Sequence, residues 1–314
     1  MKVIQKDVIV GGVLCWLLFG GFLAAGQHVD EQNRRVKCAA NLKQLGMAIM
    51  LYANENKGAF PRTRYDSANE ETVTAFTGVE APSPFAKGGP EANDVTASIF
   101  LLLRTSDIKN DVFVCPSGKA KPLKFPGGKD FAEFSNFVSL KSLSYSYANA
   151  YPSKAAIEKG FKLNFALPAE FAIMADLNPG GEALVKLDAA AGQDEMRKGN
   201  SPNHEGLGEN VLYADGHVEW SDTPFCGQKR SDGLADNIYT RFLPKEAAKD
   251  ADPIMGPAMD QCDSVLLPSA DAKERVARLA KSRPAKNPPS KNSLPIEPNG
   301  GKPGESKSGE PAGL

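Results

Sequence analysis

The sequence predicts an α+β fold in which one long N-terminal helix precedes a head with antiparallel strands and a disordered C-terminal tail. Three observations support this prediction. An uncharged apolar run at 8–25 continues into a stretch with helical periodicity. A hairpin pattern occupies 210–220, and the C-terminal end is rich in Pro, Gly, Ser and Lys. The predicted divisions of the chain are 1–26, 27–60, 61–267 and 268–314.

The first division, 1–26, is predicted to be a transmembrane anchor. The run 8–25 contains no charged residue, and it approaches the roughly 20 residues with which a helix crosses a bilayer. A cleaved signal peptide is the alternative, because Ala24, Ala25 and Gly26 supply the small residues of a cleavage site. The apolar run is longer than an ordinary signal-peptide core, so the anchor is the favoured interpretation.

The second division, 27–60, is predicted to continue this helix with one apolar face. Apolar residues recur at spacings of four and three, which places them on one stripe of an α-helix. The stripe consists of Cys38, Leu42, Leu45, Ile49 and Tyr52. The segment 54–58 then ends in Gly58 and is typical of a helix stop. An apolar half and an amphipathic half are therefore expected to form one continuous helix.

The head alternates loops with short apolar segments. Residues 62–95 are predicted to be a loop-rich insertion, because Pro and Gly interrupt any periodicity. The apolar run 96–104 predicts a short buried helix, and 111–115 predicts a strand or extended segment. Apolar residues alternate with serines at 143–147, which is typical of a half-buried strand, and 171–175 is an apolar run of strand length.

The clearest local pattern in the head is a hairpin around Asp215 and Gly216. This pair is preferred in type I′ turns, whose two central residues both take positive φ. A two-residue turn at this position would sort the flanking side chains onto two faces. One face would carry Val211, Tyr213, Val218 and Trp220, and the other Leu212, Ala214, His217 and Glu219. Asp215 and Gly216 are accordingly predicted to be structural residues.

The last division, 268–314, is predicted to be a disordered tail that follows a short helical patch at 270–280. The segment from 281 onward is nearly empty of large apolar residues. Such a segment cannot bury enough surface to offset the entropy of ordering its chain.

Composition and motifs limit the functional classes. The formal net charge is −1, and no extended basic patch is visible, so nucleic acid is not a predicted partner. The sequence contains no Gly-x-Ser-x-Gly, His-Glu-x-x-His or phosphate-binding loop. The chain is therefore predicted not to be an enzyme.

Four motifs, in order, resemble those of a large bacterial pseudopilin-like family related to the major pseudopilin of type II secretion. The first is Arg-Arg-x-x-Cys-x-x-Asn-Leu-Lys-Gln-Leu-Gly at 34–46, followed by Tyr-Ala-Asn-Glu-Asn-Lys-Gly-x-Phe-Pro at 52–61. Phe-Val-Cys-Pro-Ser follows at 113–117, and a His followed by Asp-Gly lies within 203–218. The resemblance covers roughly residues 8 to 220.

The resemblance implies a pilin-like fold, in which the long helix packs on a small antiparallel sheet. It implies a non-enzymatic, single-pass protein of the cytoplasmic membrane with its head on the periplasmic side. The expected role is a structural or accessory component of a type II secretion or type IV pilus-like system. The expected partners are the membrane and other pilin-like subunits or secretion machinery.

The N-terminus departs from the family at the site where prepilin peptidase cleaves. The family begins its apolar helix with Gly-Phe-Thr-Leu-Ile-Glu, whereas this chain has Lys6, Asp7 and Val8 there, and no Glu near the start of the run. In filament-forming pilins that Glu is thought to pair with a neighbouring subunit. The alternative is therefore a pilin-derived anchored binding protein that does not polymerise.

The sequence contains five cysteines, one of which, Cys15, lies in the apolar run. The other four are Cys38, Cys115, Cys226 and Cys262, and exported cysteines could pair in three ways. The resemblance favours Cys38–Cys115, because both lie in matching motifs, and this leaves Cys226–Cys262. Zinc is the rival interpretation, but the Cys-x-x-Cys and His-x-x-x-His spacings of common zinc sites do not occur. No metal is therefore predicted here.

His204 is predicted to order its Gly-rich loop by hydrogen bonding to backbone groups. The rival interpretation is an anchored hydrolase that uses His204 and Asp215. Calcium is a weaker alternative, because major pseudopilins carry a calcium loop after the sheet. Asp222, Asp232 and Asp236 would supply hard oxygen ligands in the corresponding 221–237 segment. Solvated loop carboxylates explain these aspartates more simply, so no cofactor is predicted.

Overall fold

A computed structural model describes residues 30–230, 232–243 and 251–282. The predicted anchor and the end of the predicted tail, 283–314, lie outside the described residues. Within those three ranges, no helix is both long enough and apolar enough to span a bilayer.

The first described helix, α1, covers 30–55 and confirms the predicted amphipathic stripe. All five stripe residues are buried, and four of them have no exposed surface. After the helix ends, the Gly58 N–H donates to the Ala53 carbonyl at 2.8 Å. Lys57 and Gly58 both take positive φ there, which is a helix end that favours glycine. The predicted stop at 54–58 is therefore confirmed.

Within the described residues, the strands form one five-stranded antiparallel sheet in the order β4-β3-β2-β1-β5. The strands are β1 (Tyr145–Ala148), β2 (Ala172–Asp176), β3 (Glu209–Tyr213), β4 (Val218–Ser221) and β5 (Leu266–Leu267). This confirms an α+β fold with an antiparallel sheet. It also confirms a strand in each of the two predicted segments, 143–147 and 171–175.

The apolar face of α1 packs on one face of this sheet. Gly46 lies so close to Leu212 of β3 that an added Cβ would be 2.9 Å from the leucine Cδ1. One turn and a half earlier, the Asn41 side-chain amide donates to the Val114 carbonyl at 3.0 Å. A glycine at position 46 thus lets helix and sheet approach closely, and polar contacts fix the helix nearer its N-terminal end.

The hairpin is present, but its predicted turn type and register are wrong. The Gly216 N–H donates to the Tyr213 carbonyl at 2.9 Å, and the Tyr213 N–H donates to the His217 carbonyl at 3.0 Å. Of the two turn residues, only Gly216 takes positive φ, at 86°. The loop therefore has three residues and ends in a left-handed glycine, which shifts the pairing by one residue.

This shift exchanges the faces of the hairpin. Leu212 pairs with Val218, Val211 pairs with Glu219 and Asn210 pairs with Trp220. Side chains of directly paired residues lie on the same face of a sheet. The face toward α1 therefore carries Leu212 with Val218 and Trp220, rather than the predicted set.

Two further expectations need correction. Strand β1 is buried on both faces, not half-buried. On its second face, the buried Ser146 hydroxyl donates to the Pro268 carbonyl at 2.7 Å. Residues 111–115 begin in a 3-10 turn at Asn110–Phe113 and become extended only at Val114.

The described helices are otherwise short, and the last one extends the head. They are α2 (Val95–Thr105), α3 (Lys154–Glu158), α4 (Gly181–Val185), α5 (Gln193–Gly199) and α6 (Ala272–Ser282). Helix α2 confirms the predicted buried helix. Helix α6 confirms the helical patch, but Ala272 and Arg275 are buried against the head. The head therefore continues past the predicted boundary at 267.

Candidate functional site

Four buried side chains from four separate segments converge beneath the N-terminal part of α1. They are Cys38 of α1, Cys115, Asp176 at the end of β2, and His204. Each offers one atom that can bind a metal, and these four atoms all lie within 4.8 Å of one another. Of the four residues, none has more than 1% of its surface exposed. We call these four residues the buried cluster.

The fold places each member from local structure. Cys38 belongs to the apolar stripe, so its position on α1 directs the sulfur at the sheet. Asp176 ends the apolar strand β2. Cys115 follows the 3-10 turn, next to the Val114 carbonyl that Asn41 holds. His204 ends a second 3-10 turn, Pro202–His204, which is capped by the side chain of Ser201.

Short polar contacts connect the cluster members. The Cys38 thiol donates to Asp176 Oδ1, with Sγ and Oδ1 3.1 Å apart. His204 Nε2 lies 3.2 Å from Asp176 Oδ2 and 3.4 Å from Cys115 Sγ. Cys38 Sγ also lies 3.3 Å from the Tyr145 hydroxyl. Every member therefore has a polar partner within the cluster.

Asp176 is the centre of this network. The Asn203 amide donates to its Oδ1 at 2.8 Å, and the Asn210 backbone N–H donates to its Oδ2 at 2.8 Å. Burial by itself raises the pKa of Asp176, but bonds from His204, Asn203 and Asn210 outweigh burial and hold the pKa below its ordinary value. The carboxylate is thus buried in its charged form.

The other ring nitrogen of His204 bonds to a carboxylate of α1. His204 Nδ1 lies 2.7 Å from Glu31 Oε1. Glu31 is held in turn by the Ser117 hydroxyl at 2.9 Å and by Arg34 Nε at 2.9 Å. Burial raises the pKa of Glu31, but His204, Ser117 and Arg34 together bring it below its ordinary value.

His204 consequently lies between two carboxylates. Burial by itself lowers its pKa, but the bonds to Asp176 and Cys115 raise the pKa to about 11. The imidazole is therefore protonated near neutral pH and supplies the cation of the cluster.

The two thiols differ in acidity. Burial, with Cys115 and Asp176 nearby, raises the pKa of Cys38 well above its ordinary value. The bond from Cys38, together with His204, lowers the pKa of Cys115 in spite of burial. Cys115 is thus the thiol that ionises more readily.

Trp220 covers the outer side of the cluster. Its ring meets the His204 ring edge to face, with ring centroids 5.3 Å apart. The Arg35 guanidinium lies over the same indole, 4.0 Å from the ring centroid. This layer keeps water from His204, so every charge in the cluster acts in a low-dielectric setting.

The predicted role of His204 is wrong, because its side-chain partners are other side chains rather than backbone groups. The loop is ordered by backbone hydrogen bonds that do not involve the imidazole. For example, the Gly206 N–H donates to the Ser201 carbonyl at 3.2 Å. Asp215 is a turn residue, as predicted, and accepts from the His217 N–H at 2.9 Å. His204 and Asp215 therefore belong to different hydrogen-bond networks.

The four described cysteines are free thiols, so neither predicted disulfide is formed in the structure. Cys38 and Cys115 nevertheless lie in the same cluster, with their sulfurs within 4.8 Å. Cys226 and Cys262 are half-buried. The predicted pairing of Cys38 with Cys115 stays a prediction, and the same two sulfurs are available to a metal.

The three calcium candidates do not share a site within the described residues. Asp222 is exposed, and Asp232 accepts from Arg230 Nη2 at 2.8 Å. Asp236 is buried and accepts from the Ser264 N–H at 3.0 Å. Each of the two later carboxylates thus has its own protein partner.

Cys38, Cys115 and His204 each stand out in the sequence, whereas Asp176 and Glu31 were not predicted. Asp176 directly follows the apolar run at 171–175, and a carboxylate at the end of a buried strand was the available signal. Glu31 lies two helical turns before Cys38, so both residues belong to one side of α1.

Comparisons with protein-family models, with curated proteins and with solved structures found no match to this chain.

Proposed function

We propose that this chain is a non-enzymatic, pilin-like envelope protein, anchored in the cytoplasmic membrane by 8–25 with its head on the periplasmic side. The supporting observation is the packing of α1 along the antiparallel sheet. Its buried stripe begins only a short distance after the apolar run ends in the sequence. One helix could thus join a membrane segment to a folded head.

The closed character of the buried cluster supports the non-enzymatic assignment. All four members are buried, and Trp220 and Arg35 cover the histidine. A catalytic site needs a position at which substrate can meet the reacting groups. The cluster instead joins α1 to two loops and a strand, which is a structural task.

The outer face of α1 favours contact with another protein as part of this function. Val36, Met47 and Leu51 are 70%, 53% and 62% exposed, and their spacing places them on one side of the helix. This side lies opposite the buried stripe. Packing of these residues against a second pilin-like helix would support a polymeric pseudopilin, whereas the missing Glu near the N-terminus favours the anchored protein that does not polymerise.

The experiment is to express the full chain and a variant that lacks 8–25, and to separate membrane from soluble fractions. We expect the full chain in the membrane fraction, with its head accessible to protease only from the periplasm. We expect the deletion variant in the soluble fraction. Recovery of the intact full chain as a soluble protein would contradict the proposal.

Two further measurements, of the mature N-terminus and of contacts between copies, distinguish the forms of this proposal. Mass spectrometry should find a chain that begins before Val8; a product beginning at Gln27 would identify a signal peptide instead. A product with N-methylated Val8 would identify prepilin processing. Crosslinking that detects copies in contact, and that is lost with Leu51→Glu but not with the control Glu55→Gln, would establish the polymeric form.

A further inference from the structure

We propose that Cys38, Cys115, Asp176 and His204 bind one zinc ion, which fastens α1 to the head. This inference goes beyond the proposed envelope function and does not depend on it. The geometry, the outer hydrogen bonds and the chemistry of the donor set each support it.

The cluster is compact enough to surround a tetrahedral zinc ion. Zinc bonds of about 2.0–2.3 Å to nitrogen, oxygen and sulfur place neighbouring ligands about 3.3–3.7 Å apart. Asp176 Oδ1 lies 3.1 Å from Cys38 Sγ, and Asp176 Oδ2 lies 3.2 Å from His204 Nε2. His204 Nε2 also lies 3.4 Å from Cys115 Sγ. All four donor atoms lie within 4.8 Å of one another, so small side-chain movements would bring them to zinc-bonding distance.

The surroundings of the ligands are those of a metal centre. A metal-binding histidine usually donates its other ring N–H to a carboxylate, which orients the ring. His204 does so through Nδ1 to Glu31, with a distance of 2.7 Å. Asp176 is oriented in the same way by Asn203 and Asn210 at 2.8 Å each. These contacts direct Nε2 and the carboxylate toward the two sulfurs.

The donor set selects zinc over calcium. Two sulfurs and one imidazole are soft or borderline ligands, which suit zinc, whereas calcium takes oxygen ligands only. Four protein ligands without space for a substrate are typical of structural zinc rather than catalytic zinc. The ligands come from α1, β2 and two loops, so one ion would connect segments that are distant in the sequence.

Zinc binding would change the protonation of its ligands. Zinc requires thiolate sulfurs and a neutral imidazole nitrogen, so binding would be accompanied by proton release. The His204 Nδ1–H would keep its bond to Glu31 throughout.

The test uses the full chain, purified in detergent under reducing conditions and supplied with equimolar zinc. Elemental analysis should find one zinc per chain after gel filtration, and removal by a chelator should lower the melting temperature. Cobalt substitution should produce a thiolate-to-cobalt absorption band. Cys115→Ser should lose the band, whereas the matched control Cys262→Ser should retain it.

If Cys115→Ser does not fold, Glu31→Gln provides a second variant for the zinc-binding measurement. This change leaves all four ligands in place, and loss of such an outer carboxylate weakens metal binding by roughly 10–100-fold. Three results would overturn the proposal: folded wild-type chain that retains no zinc, equal loss of the band in Cys262→Ser, or a Cys38–Cys115 disulfide in protein isolated without reductant.

Discussion

Two histidine–aspartate pairs in this molecule show how differently the same residue types can behave. His204 and Asp176 come from separate segments, are completely buried and lie 3.2 Å apart. His217 and Asp215 are near neighbours in the hairpin, are each 46% exposed and lie 2.5 Å apart. The first pair lies inside a network of thiols, amides and a second carboxylate, whereas the second pair closes a turn.

Residues close in sequence form the local turn, whereas residues distant in sequence meet in the buried cluster only through the fold. An exposed ion pair contributes about 0–1 kcal/mol, because water and salt screen it. In a buried pair, removal of one partner leaves the other charge without compensation. The His217–Asp215 pair is shorter than the His204–Asp176 pair, but it is therefore expected to contribute less to stability.

The largest expected effect is that of Asp176→Asn. The change removes the charge that His204 faces. It also replaces one of the two oxygens that accept from Asn203 and Asn210 with an amide nitrogen, which donates. In metal-free protein we expect the free energy of unfolding to fall by about 3–5 kcal/mol. Urea denaturation measures it. A loss below about 1 kcal/mol would show that the buried pair is not the stronger one.

The buried carboxyl groups Asp236 and Asp263 make stability depend on pH in a way that Asp176 does not. Burial and the proximity of Asp263 raise the pKa of Asp236 well above its ordinary value, and burial raises the pKa of Asp263 to about 7. Unlike Asp176, these carboxyls are therefore neutral in the folded state at acidic pH.

The sign of the pH effect follows from proton binding. Between about pH 4 and 7 the folded state holds a proton that the unfolded state has released, so stability is lost as pH rises through that range. The slope for one proton is at most about 1.4 kcal/mol per pH unit. Denaturation from pH 4.5 to 7.5 should show stability falling more steeply in wild type than in Asp263→Asn, which lacks this carboxyl; equal slopes would contradict the assignment.

Gly216→Val should destabilise the turn by a smaller amount. Gly216 takes φ of 86°, and a β-branched residue there is strained by about 1–3 kcal/mol. Thermal denaturation should show a lower melting temperature, and Gly216→Asn, which tolerates positive φ, should lose less. If both variants melt like wild type, the left-handed glycine is not required.

The smallest expected effect is that of Asp215→Asn. The asparagine oxygen can still accept from the His217 N–H, and the exposed charge contributes little. We expect the free energy of unfolding to change by less than about 0.5 kcal/mol, with unchanged membrane localisation. Loss of function in a folded Asp215→Asn protein would show that the turn carries chemistry after all.

Local features were predictable because they depend on neighbouring residues. The stripe from Cys38 to Tyr52, the stop at Gly58 and the position of the hairpin all follow from helical spacing and turn chemistry. The hairpin register was missed because Ala214 joins the turn as a third loop residue, and one extra residue exchanges the two faces.

The buried cluster was not predictable from spacing. Its members come from positions 38, 115, 176 and 204, and only the pairing of β2 with β1 and β3 brings Asp176 to the others. The metal-binding spacings that sequences display belong to ligands on one turn or helix. Three of the four side chains were therefore singled out from the sequence, and the resemblance paired only Cys38 with Cys115.

The most direct test of this account is zinc X-ray absorption on the full-length protein and on Asp215→Asn. We expect two sulfurs at about 2.3 Å and two nitrogen or oxygen ligands at about 2.0–2.2 Å around the metal, identical in both proteins. A ligand shell without sulfur, or one that changes in Asp215→Asn, would contradict the claim that the buried cluster is the metal site and the turn is structural.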